Sequence, residues 1–335
     1  MTVLERNVLV DGNNLIHRSH AVFVKDKAPE DAMCAPSGYP TGLIYGIFSM
    51  LSDWVSEVAN PSRMVFFLDG RPVRKLALDP DYKRKEKDNG RYRTEPRPIR
   101  LSDGFEASTE MDVVLHLLSL LGVDVYHHPE EEADDLIASH VRAHADAMSV
   151  IISSDTDFYQ LLSWSDRVIL FRPGTGADRF YDAERAEEHL MKRYKVRIPP
   201  TNVRMFKALT GDPSDGIPGI PRIRKKAVAP LCHHASVEDL YATGLPGLSD
   251  AERQKAESMR DRVRTNFELV GLDGSVDLAQ ALTEARPDFQ AASRVLRDDL
   301  GITTVFPHSF KFSRAGRVRI SAPTTDLLPD FLRDL

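Results

Sequence analysis

"NVLVDG", residues 7–12, decides the fold. Three apolar residues, Val8, Leu9 and Val10, run without a polar break into Asp11-Gly12. Such a run reads as a strand buried on both faces and closed by a turn. The arrangement returns in "RMVFFLDG", residues 63–70, and in "MSVIISSD", residues 148–155. "VDVYH" (123–127) and "RVILF" (167–171) read as two further strands. Helical patterns lie between them: "TGLIYGIFSMLSDWVSEV" from about 41 to 58, "STEMDVVLHLLSLLG" behind a Ser/Thr and Glu capping signature, "EEEADDLIASHVRAHA", and "TDFYQLLSW". Strands that alternate with helices predict an α/β chain with a mostly parallel, doubly wound sheet.

Open parallel sheets bind ligands outside the carboxyl ends of their strands. Asp11, Asp69 and Asp155 each follow an apolar run, so three strands deliver three carboxylates to one sheet edge. Each has a plainer reading. Asp-Gly is a turn signal, and "SSDTD" is a good helix cap. Neither explanation needs Asp at the same edge three times.

More acids belong with these. "EEEADDLIASH" supplies Glu132, Asp134 and Asp135. Acids favour helix N-termini, which accounts for some of them. On an ideal helix Glu132 and Asp135 share a face and Asp134 points elsewhere. Glu130 and Glu131 read as solvated. Asp157 follows Asp155, and "GDPSDGIPGIPRIRKK" (211–226) adds Asp212 and Asp215. The last stretch then turns basic, with Arg222, Arg224, Lys225 and Lys226. A phosphodiester suits both halves: cations attract it, and carboxylates hold the hard divalent ions that hydrolyse it. Mg²⁺ is the expected ion, as a pair, with Mn²⁺ able to substitute. His127-His128 read as neutral surface histidines. No His/Cys cluster competes for zinc, because Cys34 and Cys232 fit no zinc spacing.

The chain has 335 residues, 42% of them hydrophobic and 28% charged, enough for a large domain or two. No apolar run approaches the roughly 18 residues that span a bilayer. The N-terminus lacks a signal-peptide pattern. A cytoplasmic protein with no membrane partner is expected. The net charge of −6 argues weakly against a nucleic-acid partner. Setting aside the nine acids named above other than Glu130 and Glu131 makes the remainder positive, and location matters more than the sum.

Two stretches break the rhythm. Residues 79–104 are polar and basic: from Lys83 to Arg100 eight Lys or Arg face three acids. Such a segment is a loop, or a structure that orders on a polyanion. From about 182 the strand signal fades and helices take over. The expected organisation is a core over 1–181, a helical region over 182–275, and a C-terminal region over 276–335 with no motif.

Seven motifs in order, "VLVDGNNLIHRSHAVF", "SGYPTGLIYGIFSML", "FFLDG", "DPDYKRK", "EEEADDLIA", "ISSDTDFYQLL" and "ALTGDPSDGIPGIPRIRKKAV", resemble the structure-specific 5′-nucleases. These are the flap endonucleases and the 5′→3′ exonuclease domain of bacterial DNA polymerase I. The resemblance covers about residues 6–270. It implies a PIN-like core, an arch (about 79–104) over the site, and a duplex-gripping helix–three-turn–helix (about 206–235). It implies a stand-alone, monomeric enzyme of the phage or bacterial kind, since no polymerase region follows.

The resemblance also assigns the site. One metal group matches Asp11, Asp69, Glu132, Asp134 and Asp135; the other matches Asp155, Asp157, Asp212 and Asp215. Direct ligation is expected mainly from Asp69, Glu132, Asp134, Asp155, Asp157 and Asp215, the other three acting through water. Tyr82-Lys83 matches the arch pair whose lysine stabilises charge on the scissile phosphate. The arginine common three residues later is Glu86 here, leaving Arg84 or Lys85 to substitute. Arg18 matches a phosphate-binding arginine. Asp11, Asp69, Asp155 and Lys83 are the expected catalytic set. Arg18, Tyr82, Arg84, Lys85, Arg222, Arg224, Lys225 and Lys226 are the expected DNA contacts. Relatives read Gly-Ile-Gly where this chain has Arg222-Ile223-Arg224, and arginine copies a positive-φ glycine at a cost. A K⁺ site there is expected to be weakened or absent. The implied substrates are DNA with 5′ ends, flaps or nicks, and RNA of RNA–DNA hybrids. Two other readings stand beside this one: a non-cleaving branched-DNA binder on the same scaffold, and a PIN-type ribonuclease.

Overall fold

A computed structural model describes residues 5–83, 97–174, 179–310 and 312. The apolar run at the N-terminus forms β1 (Arg6–Asp11), and helix α1 (Gly12–Phe23) follows without a linker. Helix α2 (Gly42–Ser56) leads to β2 (Arg63–Leu68) and the short α3 (Val73–Leu78). A small hairpin, β3 (Ile99–Arg100) and β4 (Glu106–Ala107), precedes α4 (Glu110–Leu120). Thr109 caps α4 in a capping box whose acidic member is Asp112, three residues on, rather than Glu110. Then come β5 (Asp124–His127), α5 (Ala133–Ala143), β6 (Met148–Ile152) and β7 (Val168–Phe171). The stretch after Asp155 forms a 3₁₀ helix, Asp157–Ser163.

Strands β5, β2, β1, β6 and β7 lie side by side in that order, all parallel. Two short antiparallel strands close the edges: β8 (Phe180–Tyr181) beside β7, and a strand from far downstream beside β5. Alternate side chains feed two cores. Val8, Val10 and Phe66 pack with α2 and α4 residues, whereas Leu9, Val65 and Phe67 pack with α5 residues and those beyond 190.

The second half is mostly helical. It comprises α6 (Ala183–Tyr194), α7 (Val203–Thr210), α8 (Lys225–Val228), α9 (Val237–Ala242), α10 (Asp250–Ser258) and α11 (Arg260–Val270). A tight hairpin, β9 (Gly211–Asp212) and β10 (Ile217–Pro218), interrupts it. Buried Asn266 of α11 ties this hairpin down by donating to the Ala208 and Pro218 carbonyls, at 2.9 and 2.8 Å. The stretch past 276 returns to the first half. Leu282–Thr283, β11, pairs with β5, and α12 (Phe289–Arg294) contributes Ala291 and Ala292 to the core beneath α2 and α4.

One core residue makes the fold acid-sensitive. His140 of α5 is fully buried, and neither ring nitrogen has a hydrogen-bond partner among the described residues. It stands edge-on to Phe67 and Tyr126 and stacks on His144 at 4.0 Å. Burial, with His144 and Arg63 adding repulsion, holds its pKa well below the ordinary 6.5. The unfolded chain therefore binds this proton more readily, and the contribution of His140 to stability falls as pH drops below about 6.5, by up to ~1.4 kcal/mol per unit. The raised carboxylates of the cleft act in the opposite sense, so the measurement is a difference: in urea unfolding, His140→Leu should gain stability relative to wild type as pH falls from 7 to 5.5.

Candidate metal centre

The chain's own turns bring four carboxylates together. Asp11 ends β1 and caps α1: one oxygen accepts the Asn14 N–H at 3.0 Å, the other the Ser153 hydroxyl at 2.7 Å. Asp69 follows β2 and accepts the Ala133 N–H at 2.8 Å, so it fixes the start of α5. Its own N–H donates to Asn13 Oδ1. Gly70 has no room for a side chain, because a Cβ would lie 1.9 Å from the His128 carbonyl oxygen. Asp134 occupies the first turn of α5. Asp155 lies just past β6; its N–H donates to Ser153 Oγ, and its carboxylate accepts the Asp157 N–H at 2.9 Å. Asp11, Asp69, Asp134 and Asp155 line one cleft of about 640 Å³, with Lys83 at the same cleft.

These acids strain against one another. Burial pushes Asp11 up to about 7; hydrogen bonds from Asn14 and Ser153 oppose this, and Asp69 and Asp155 reinforce it. Burial, then Asp11 and Asp155, raise Asp134 well above the carboxylate range. Hard oxygen donors that repel one another in a buried cleft fit a divalent cation, which would let them ionise together.

A second group adjoins the first. Asp157, Asp212 and Asp215 each offer an oxygen within 4.8 Å of the others. The β9–β10 hairpin positions two of them. Its entry residue Gly211 has φ +80°, and a Cβ there would lie 2.4 Å from the Gly219 nitrogen. Lys207, only 4% exposed, reaches in from α7 and pairs with both Asp157 and Asp212, the latter at 2.6 Å. Burial opposes charge on Asp212, but Lys207 and Ser214 hold its pKa below the usual value. Burial raises Asp157 to about 6 against the pull of Lys207. It raises Asp215 to about 7 against that of Lys83.

Glu132 and Asp135 share a helix face, but that face turns from the cleft toward lysine. Lys75, 3% exposed, meets Glu132 at 2.6 Å and Asp135 at 3.3 Å. Lys83 meets the other Glu132 oxygen at 2.8 Å. Burial works against the Glu132 charge, yet the two lysines hold its pKa at about 2. Asp135 also accepts the Asp273 N–H at 2.7 Å. Asp134, the acid on the other face, is the one that reaches the cleft.

Lys83 of the expected catalytic set and the expected DNA contacts are placed differently from one another. Lys83 stands at the cleft in left-handed backbone, φ +51°, with its N–H on the Asp215 carbonyl at 2.9 Å. Lys225 and Lys226 are exposed, and Lys225 lies 4.9 Å over the Tyr194 ring. Arg18 is half-buried and donates to the Pro173 carbonyl at 3.3 Å. By contrast, Tyr82 is buried against Ile217, Leu269 and Val270, its hydroxyl 3.3 Å from Glu132. Arg224 is held on Glu252 through both its Nε (2.8 Å) and Nη2 (2.6 Å). Arg84, Lys85 and Glu86 lie outside the described residues.

Arg222 is exposed and adopts φ +58°, a conformation in which a Cβ costs about 1 kcal/mol or more. Arg222→Gly should therefore stabilise the fold by up to ~1 kcal/mol. If Arg222 contacts a phosphate, the same change should lower the salt dependence of DNA binding by about one ion. Chemical denaturation and a salt titration read the two effects separately.

The sequence profile described as "5′-3′ exonuclease, N-terminal resolvase-like domain" matches residues 6–194. The chain belongs to this 5′–3′ exonuclease family. DNA polymerase I of Bacillus subtilis is 28% identical over 311 residues; the match takes in 91% of this chain and 32% of that protein. The chain thus spans about a third of the length of the polymerase relatives it matches. A 5′–3′ exonuclease of Mycobacterium tuberculosis is 25% identical across 76% of this chain and 78% of its own. Among solved structures, T5 5′-exonuclease with bound zinc superposes with TM-score 0.57 and 20% identity, over 80% of this chain and 90% of that one. A T5 flap endonuclease variant bound to DNA and metal ions gives TM-score 0.56 and 18% identity, over 88% and 98%. These superpositions confirm the exonuclease-family fold, a mostly parallel sheet flanked by helices.

Proposed function

We propose that this family member is a divalent-metal-dependent nuclease that cuts phosphodiester bonds at or near 5′ ends of duplex or flapped DNA. The observation that carries it is the meeting of Asp11, Asp69, Asp134 and Asp155, from four chain segments, in one cleft beside Lys83. Asp11, Asp69, Asp134 and Asp155 would hold one Mg²⁺; Asp157, Asp212 and Asp215 would hold a second. When bound, the two ions supply Lewis acidity at the phosphate and make water a competent nucleophile near neutral pH.

The chain's residues do the rest. Asn14 and Ser153 hold Asp11 in place, and Asp69 holds α5 so that Asp134 points inward. Lys83 supplies an ammonium beside the phosphate oxygens, where charge grows as the bond breaks. Lys75 keeps Glu132 ionised, and Glu132 in turn anchors Lys83. Lys225 and Lys226 offer charge to duplex phosphates, contacts that carry no sequence information. Water's oxygen joins phosphorus, the bond to the 3′ oxygen breaks, and that oxygen takes a proton. The products are a 5′-phosphate and a 3′-hydroxyl. The described residues hold no helix long and apolar enough to cross a membrane, and we read the protein as a cytoplasmic monomer.

The experiment compares a 5′-labelled flap, a nicked duplex, an RNA-primed duplex and single-stranded RNA, with Mg²⁺, Mn²⁺ or EDTA. Cleavage of the first two, dependent on either ion and lost in EDTA, is expected. Cleavage in EDTA would refute the metal reading, and cutting of single-stranded RNA alone would point to a ribonuclease.

A further inference from the structure

The cleft that holds the four carboxylates has a second wall that the acids do not use. Met111 and Leu115 of α4 line it, with Val123 and Val125 of the β5 segment beside them. Met111 and Leu115 are four residues apart and so share a helix stripe. Both are half-buried, whereas Val113, Val114, Leu117 and Leu118 of the same helix are wholly buried. Met111 and Leu115 pack against the edge of the core that Val113, Val114, Leu117 and Leu118 enter, and their remaining surface lines the acidic cleft. Apolar surface open to a charge cluster is costly in water, and a mixed cleft of this size suits a ligand that is part charge and part flat apolar ring. A nucleotide is such a ligand: its base lies one sugar away from its phosphate. Ser119 and Thr283 also line the cleft. The Ser119 hydroxyl already accepts the Arg286 N–H at 3.0 Å. His127 and Glu284 line the same side, so the wall is apolar at Met111, Leu115, Val123 and Val125 and polar at its rim.

We propose that the Met111–Leu115 wall is a nucleobase subsite, occupied by the base on the 5′ side of the scissile phosphate. The subsite continues the carboxylate cluster within one cleft, and it rests on the nuclease reading above. It gives the enzyme a hold on an unpaired terminal nucleotide that a paired one, kept in the helical stack, does not offer.

The test uses two flap substrates alike except at that nucleotide, which carries adenine in one and is abasic in the other. Single-turnover kcat/KM is measured for both with wild type, Met111→Ala, Leu115→Ala and Leu115→Met. Wild type should prefer the base-bearing substrate by about tenfold. Each alanine variant should shrink that ratio about fivefold, and Leu115→Met should retain it. In Ca²⁺, 2-aminopurine at the same position should change its fluorescence on binding wild type, and less on binding either alanine variant. The fluorescence measurement stands even if an alanine variant cuts slowly. An equal ratio in wild type and both alanine variants, or none in wild type, would overturn the subsite while leaving the nuclease reading intact. Failure of wild type to cut either substrate would sink both.

Discussion

Asp155→Asn should lower kcat/KM for flap cleavage by about a hundred- to a thousandfold, the scale on which loss of one charge-stabilising group acts in an active site. DNA affinity measured in Ca²⁺ should not weaken, because the change removes negative charge from a site that meets phosphate. The reasoning starts from position. Asp155 stands between the two carboxylate groups: it lines the cleft with Asp11, Asp69 and Asp134, and it accepts the Asp157 N–H. Its charge also raises the pKa of Asp11, Asp134, Asp157 and Asp215. The same variant should melt higher than wild type in EDTA, since one repelling charge has gone. Activity and metal-free stability then move in opposite directions, as expected where a site is built at the expense of the fold. A loss of both together would mean that Asp155 is structural.

Lys207→Met should destabilise the metal-free protein by about 3 kcal/mol, the scale of removing one partner from a buried ion pair. Lys207 is 4% exposed and serves Asp157 and Asp212 together. Without it two buried carboxylates face each other, with Asp215 close by. Mg²⁺ should return much of the loss, because a cation at this group restores the missing positive charge. Urea denaturation in EDTA and in Mg²⁺ reads both arms. Equal deficits in the two would show that Mg²⁺ does not take the place of the Lys207 charge, and no deficit in either would show that Lys207 contributes nothing.

The fold was legible where apolar runs were long. Val8 to Val10, Met64 to Leu68 and Val150 to Ile152 announce central strands, and the acids that end them mark the sheet's carboxyl edge. The counter-cations were not legible. Lys75 in "VRKLAL" and Lys207 in "VRMFKALT" look like ordinary helix lysines, and their burial depends on partners 57, 60, 50 and 5 residues away in the chain, Glu132, Asp135, Asp157 and Asp212. A lysine alone in an apolar helix, with unpaired acids elsewhere, is the signal that was there to use. Helix geometry correctly put Glu132 and Asp135 on one face, but only packing decides which face meets the cleft. The Arg224–Glu252 pair spans 28 residues and depends on how α8 and α10 meet. Strand β11 has only two residues, too few to show a period.

That two-residue strand bears on how the protein is made. The edge of the sheet beside β5 closes only with Leu282–Thr283, and Asp135 meets the Asp273 N–H only once that region exists. A ribosome must therefore deliver residues 282–283 before the sheet's lateral edge can close, long after the strands that lead to Asp11, Asp69 and Asp155 have been made.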